Sequence, residues 1–245
     1  HWVTGEGSIK NINPSDTNDI IDEYTNATSQ QLNDAVASAH IAQKKWENVN
    51  IEKRANILHN IGSELIKQSK EIGTLLSREE GKTLPEGIGE VIRSGQQFQY
   101  YAASALRQFG ENIASTRDGV SVEMSRETVG VCGIISPWNF PIAIAAWKAA
   151  PAMAFGNAIV LKPASQTPAS AIALTKIISE QKDIPEGLFN LVLGGGGTIG
   201  HQISGHKDIA AISFTPRALA NEIQKHIPLV MTYMPDGRQD IADSR

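Results

Sequence analysis

Residues Gly130-Val-Cys-Gly-Ile-Ile-Ser-Pro-Trp-Asn-Phe-Pro141 carry an apolar strand into a rigid polar turn. Val129, Val131, Ile134 and Ile135 are β-branched and predict a buried strand. Pro137 and Pro141 then fix φ on either side of Trp138, Asn139 and Phe140. Asn139 is thereby held at the carboxyl end of a strand, the edge at which open α/β sheets bind their ligands. A fixed amide there can donate to an oxygen that becomes negative in a transition state. The alternative is an Asn chosen, like its neighbouring prolines, for turn geometry alone.

Outward from this strand the pattern alternates. Strands are predicted over 129–135, 158–161 and 188–193, with helices over 143–154 and 169–181 between them. A short helix over 199–204 and a buried strand over 209–214 follow. Strand and helix in alternation predict a parallel, doubly wound sheet. Upstream, apolar positions at helical spacing predict a helix over 29–48 with Ser29 as its N-cap, and helical structure over 51–80 stopped by Gly81. A third helix is predicted over 86–108, its Tyr100 and Tyr101 serving packing. Two β-prone runs around a polar centre make 119–131 an extended segment or a hairpin. The fold class is α/β: a helical layer followed by a Rossmann-like parallel sheet.

At 245 residues, 41% hydrophobic and 20% charged, the chain has the composition of a globular protein. A net charge of −4 without any run of Lys or Arg argues against nucleic acid and membrane surfaces as partners. No apolar run approaches the roughly 18 residues of a membrane span, and there is no signal-peptide pattern, so the cytoplasm is the default expectation. Cys132 is the only cysteine, which excludes an intramolecular disulfide. His201 and His206 are spaced too far apart to share one helix face as metal ligands.

The Pro137–Pro141 turn resembles that of the aldehyde dehydrogenase superfamily. The resemblance extends in register through Leu161-Lys162-Pro163-Ala164-Ser165, Pro185-Glu186-Gly187-Leu188-Phe189-Asn190, Gly194 to Gly200 and Ala211-Ile212-Ser213-Phe214-Thr215. Residues 12–20 and 101–105 look most like the branch that oxidises 2-oxoglutarate semialdehyde. The resemblance implies an NADP- or NAD-dependent oxidation of an aldehyde. It implies dinucleotide contacts from Ile135, Ser136, Pro137, Trp138 and Asn139, from Lys162, Ala164 and Ser165, and from Gly196, Gly200 and Phe214. Asn139 would be the oxyanion donor. It further implies four parts: 1–118, an N-terminal helical part; 119–131, an oligomerisation strand or hairpin; 132–227, the nucleotide-binding sheet; and 228–245, a divergent tail.

Lys162 would hydrogen-bond the adenosine ribose; on its residues alone it could equally be a solvated surface lysine. Ser165 stands where strictly NAD-preferring relatives place a Glu that would repel a 2′-phosphate, so a hydroxyl here is compatible with NADP as well as NAD. Ser165 could also simply cap the helix that follows. Gly196 and Gly200 would line the adenine pocket, against the alternative of a flexible glycine loop. Aldehyde oxidation in this family proceeds through a thiohemiacetal on a cysteine. Cys132 is out of register for that role, because inside an apolar strand a thiol behaves as a small hydrophobe.

The family's cysteine nucleophile and glutamate base are expected beyond the position this chain reaches. After Thr215 the family's Gly-Ser is replaced by Pro216 and Arg217, with residues 221–226 able to recover the following helix one residue out of step. Residues 228–245 show no family pattern, and Pro235-Asp236-Gly237 is a turn signal. The chain thus reads as the front half of such an enzyme, a fragment or the product of a disrupted frame. Apolar surface left open by a missing half predicts self-association.

Overall fold

A reciprocal capping box opens the helical layer. The Thr28 hydroxyl accepts from the Gln31 N–H at 3.1 Å, and Gln31 Oε1 accepts from the Thr28 N–H at 2.9 Å. The cap of α1 (Ser29–Trp46) is therefore Thr28, one residue before the expected Ser29, because only Thr28 has a Gln three positions on. In the computed structural model, residues 1–107, 110–215, 229–233 and 239–243 are described, the last two segments as backbone. Before α1, β1 (Glu6–Ile12) and β2 (Ile20–Asn26) form an antiparallel pair.

The expected helical run over 51–80 is two helices, α2 (Ile51–Lys67) and α3 (Ser69–Glu80), broken at Gln68. Both pack against α4 (Leu84–Ala105). One straight helix over 51–80 would be about 45 Å long and could not follow that shorter partner; the break lets each piece turn its apolar stripe inward. Beyond α4, β3 (Glu111–Ala114) pairs antiparallel with β4 (Ser121–Met124), and every residue of both strands is exposed. The hairpin expected inside 119–131 is thus made with an upstream partner. Tyr100 and Tyr101 meet edge to face, with Tyr101 packed against the core as expected.

The sheet begins with β5 (Val131–Ile135), which starts two residues later than predicted because Val129 and Gly130 bend across to the Asn157 side chain. Next come α5 (Pro141–Ala154), β6 (Ala158–Lys162), α6 (Pro168–Ser179) and β7 (Phe189–Leu191). A π-helical turn over Gly196–Gly200 leads into α7 (His201–Ser204), and then β8 (Ala211–Phe214). β9 (Leu229–Tyr233) lies parallel to β8, and β10 (Gln239–Asp243) antiparallel to β9. The strand order is β10-β9-β8-β5-β6-β7. Residues 229–233 and 239–243 thus add two strands to one edge of the sheet. The turn signal at 235–237 and the helix expected over 221–226, like Pro216 and Arg217, lie outside the described residues.

All five residues of β6 are buried, as a central parallel strand with both faces covered requires. α1 packs on β5, β6 and β7, while α5 and α6 lie between the sheet and the α2–α4 layer. That second contact has a polar key. Neither α5 nor α6 has a side-chain cap of its own. Instead, buried Glu90 of α4 accepts the Ile142 and Ala143 N–H groups on one oxygen, both at 3.0 Å. Buried Glu79 of α3 accepts the N–H of Ala169 at 2.6 Å and of Ser170 at 2.9 Å. It also takes the Ser170 hydroxyl and, at 2.5 Å, the Asn11 amide of β1. Burial pushes the Glu79 carboxyl above the usual range, while the donors from Ser170, Ala169 and Asn11 pull it back. Helix N-termini stabilise negative charge, so each glutamate meets a complementary pole.

Replacing Glu79 by Ala leaves the N–H groups of Ala169 and Ser170 buried without an acceptor. The expected loss is about 3 kcal/mol in urea unfolding, with Glu79→Gln losing less because its amide oxygen still accepts; equal losses would show that the charge does not matter.

Candidate functional site

The chain runs from β5 outward to β6 and β7, then returns to place β8 on the other side of β5. β5 and β8 therefore flank the point where the winding reverses. Outside the carboxyl ends of such a strand pair the following loops diverge and leave a crevice. Ile135 pairs with Lys162 of β6 and with Phe214 of β8, so three of the sequence-selected residues form one row across the strand ends. The 136–140 turn, the 163–167 loop and Thr215 rise from that row.

Ile135 and Phe214 are buried in the core. Ser136 is also buried, and its N–H donates to the Lys162 carbonyl at 3.1 Å. Its hydroxyl has no hydrogen-bond partner, and neither have the buried hydroxyls of Thr167 and Thr215. All three follow strands β5, β6 and β8, and an unsatisfied buried hydroxyl is a costly thing to leave in a fold. Trp138 and Phe140 are about half exposed, at 53% and 49%, and Asn139 between them is exposed. The turn thus offers the Asn139 side chain outward, as an amide donor at this edge must be.

Lys162 is not a solvated surface lysine. It is 3% exposed, and its ammonium donates to the carbonyls of Pro163 at 2.6 Å and Gly194 at 3.0 Å. Burial pulls it down to about 8. Two of its three donors are spent on the loop, leaving one. Ser165 donates to the same Gly194 carbonyl at 3.3 Å, rather than capping α6, whose free N–H groups Glu79 has taken. Gly194 can receive both because its φ of 154° is open to glycine, and a Cβ would strike Ile199 Cγ1 at 2.5 Å. Gly200 lies against the Lys162 stem, and Gly196 begins the π-helical turn. Ala164 and Ser165 share a small cavity with Ile9 and Tyr24 of the β1–β2 pair.

Lys82, Glu80 and Glu90 gather under the 136–140 turn, a cluster the sequence reading passed over. Its only linear trace is Glu-Glu-Gly-Lys at 79–82, which reads as a helix end. Lys148 of α5 was also missed: it donates to Ser213 Oγ at 2.9 Å, and burial pulls it to about 7. Among the described residues no group of His, Cys, Asp or Glu side chains could hold a metal ion, and no helix is long and apolar enough to cross a membrane.

A mostly parallel sheet wound in both directions, with Lys162 and Ser165 meeting the Gly194 carbonyl beyond its strand ends, is an α/β architecture of the doubly wound class. The model of the aldehyde dehydrogenase family matches residues 2–227, and the chain belongs to that family. It is 37% identical over 218 residues to an alpha-ketoglutaric semialdehyde dehydrogenase of Bacillus subtilis, covering 87% of this chain and 44% of that protein. A 2,5-dioxopentanoate dehydrogenase of Saccharolobus solfataricus is 35% identical over 215 residues, with 87% and 45% covered. The crystal structure of betaine aldehyde dehydrogenase from Staphylococcus aureus in complex with NAD+ superposes with a TM-score of 0.89 at 29% identity, over 95% of this chain and 48% of that one. The chain spans about half the length of the relatives it matches.

Cys132 lies on β5 and is partly buried, outside the core cluster, and desolvation pushes its thiol from 9.0 up to about 12. At pH 8 the thiolate fraction is then about a thousandfold below that of a free cysteine. Native protein is expected to react with Ellman's reagent slower by up to that order, with full reactivity returning on unfolding in guanidinium; rapid native labelling would contradict the suppressed thiolate.

Proposed function

We propose that this chain supplies the dinucleotide-binding part of an NAD(P)-dependent aldehyde dehydrogenase. The reaction is oxidation of an aldehyde, with a semialdehyde the favoured class, to a carboxylic acid. The observation that carries this reading is Lys162 at the carboxyl end of β6, held by the Pro163 and Gly194 carbonyls beside Ser165 and the glycine turn. The remaining Lys162 proton and the Ser165 hydroxyl suit a ligand rich in ribose and phosphate oxygens. When bound, the nicotinamide supplies the hydride acceptor. Ser136 to Asn139 border it, Asn139 offers its amide to the developing oxyanion, and Lys162, Ala164 and Ser165 hold the adenosine ribose. Gly196 and Gly200 line the adenine pocket, with Ile135 and Phe214 contributing backbone. The semialdehyde preference draws its support from the names of the Bacillus and Saccharolobus relatives.

A second reading has its own observation. Cys132 is the only cysteine of the 245 residues and sits within β5. The isolated chain is therefore expected to bind dinucleotide without turnover, as a binding module. Titration with NAD and NADP, followed by tryptophan fluorescence and by absorbance at 340 nm with 2-oxoglutarate semialdehyde, separates the outcomes. Quenching without reduction supports the module, reduction supports a complete enzyme, and no quenching rejects both.

Ser165 carries no charge to repel a 2′-phosphate, so NADP binds as well as NAD. Ser165→Glu is expected to weaken NADP about tenfold or more while sparing NAD. A phosphate favours charged Lys162. As pH rises through about 8 the folded-state lysine loses its proton, and NADP affinity falls more steeply than NAD affinity. Parallel pH profiles would refute the contact.

The same reading covers assembly. β3 and β4 expose Ile113, Val122 and Met124 at 44%, 42% and 49%, on two strands with open edges. We expect concentration-dependent self-association in sedimentation velocity, reduced by Val122→Lys; a monomer at all concentrations would exclude it.

A further inference from the structure

Pro137 and Pro141 restrict only their own φ angles, so Trp138, Asn139 and Phe140 need another restraint to hold one shape. Lys82 provides it from the helical layer. Gly81 ends α3 in the left-handed region with φ of 88°, where a side chain would be strained, and turns the next residue inward. The Lys82 side chain is only 11% exposed. Its ammonium lies 2.6 Å from Glu90 Oε2, 2.9 Å from Glu80 Oε2 and 3.1 Å from the Asn139 carbonyl, to which it donates. It also lies 4.3 Å from the centre of the Phe140 ring, a cation–π contact. The other oxygen of Glu90 holds the N–H groups of Ile142 and Ala143. One ion pair thus grips the turn on both sides: the cation holds the peptide that follows Asn139, and the anion holds the first free donors of α5.

We propose that Lys82, seated by Glu90, is a positioning residue for Asn139. It fixes the Asn139–Phe140 peptide plane and so sets the direction in which the exposed Asn139 amide points. This rests on the reading of Asn139 as an oxyanion donor beside the nicotinamide. Charge-assisted bonds at a largely buried site are stiff, which makes them suited to holding a donor in place before a ligand arrives. A flexible turn would have to be ordered at the moment of binding.

The test uses the chain labelled with 5-fluorotryptophan, its Trp138 fluorine resonance assigned through Trp138→Phe, together with hydrogen exchange of the peptide spanning 136–147. Lys82→Met is expected to shift and broaden the Trp138 signal and to raise exchange in that peptide about tenfold or more. The signal of core Trp46, which donates to the Met153 carbonyl, should not move. Lys82→Arg keeps the charge and the donors and should restore both readouts. Glu90→Gln, which still accepts from α5, should loosen the turn in the same way. An unchanged Trp138 signal and unchanged exchange in Lys82→Met would overturn the proposal, as would a Trp46 change as large as that of Trp138. Adding NADP to wild-type protein tests the underlying reading separately. If it leaves Trp138 unmoved, the dinucleotide assignment fails, while the ligand-free exchange data still decide the clamp.

Discussion

Two carboxylates from the helical layer, Glu79 and Glu90, are inserted at the N-termini of the first two helices of the sheet domain. Both helices begin with proline, Pro141 and Pro168, which removes one of the orphan N–H groups. The rest would ordinarily be met by a local Ser, Thr, Asp or Asn. Here the acceptor comes from a different layer, so neither part can be satisfied without the other. A buried carboxylate without such donors would be expensive. The arrangement therefore specifies one docking of α3 and α4 on α5 and α6, where apolar burial alone would tolerate sliding.

That docking determines the crevice. α5 and α6 start immediately after the loops that follow β5 and β6, so anchoring their first turns anchors those loops. Lys162 then folds onto Pro163 and Gly194, joining the loop after β6 to the glycine turn after β7. Lys82 joins the loop after β5 to the end of α3. The result is a row of fixed backbone along the strand ends, with Lys162 and Ser165 held on one carbonyl. Preorganised polar groups of this kind bind without first paying for their own ordering.

The alternation of strand and helix from residue 130 was legible because each period is local: β-branched runs of about five residues, then apolar positions at helical spacing. The row Ile135, Lys162 and Phe214 was likewise readable, since each residue closes a strand. The break at Gln68 was not, because nothing in that polar stretch says that α4 is too short to accompany a longer helix. The partner of β4 was missed for a related reason: pairing between 111–114 and 121–124 depends on register, which short exposed strands specify weakly. Glu79 and Lys82 read as ordinary surface charges at a helix end. Their burial comes from elements about fifty to ninety residues away, at Asn139, Ala169 and Ser170.

By itself the sequence determined the α/β class, the strand that ends in Pro137–Pro141, the place of Cys132 within that strand and the membership of the aldehyde dehydrogenase family. These follow from side-chain chemistry and short-range spacing. The tertiary structure decided which carboxylates cap which helices, that Lys162 is buried with one donor left, and that Lys82 holds the Asn139 turn. Such facts depend on which distant groups share a low-dielectric interior, where an unpaired charge or donor is costly and its partner is set by packing rather than by sequence neighbourhood.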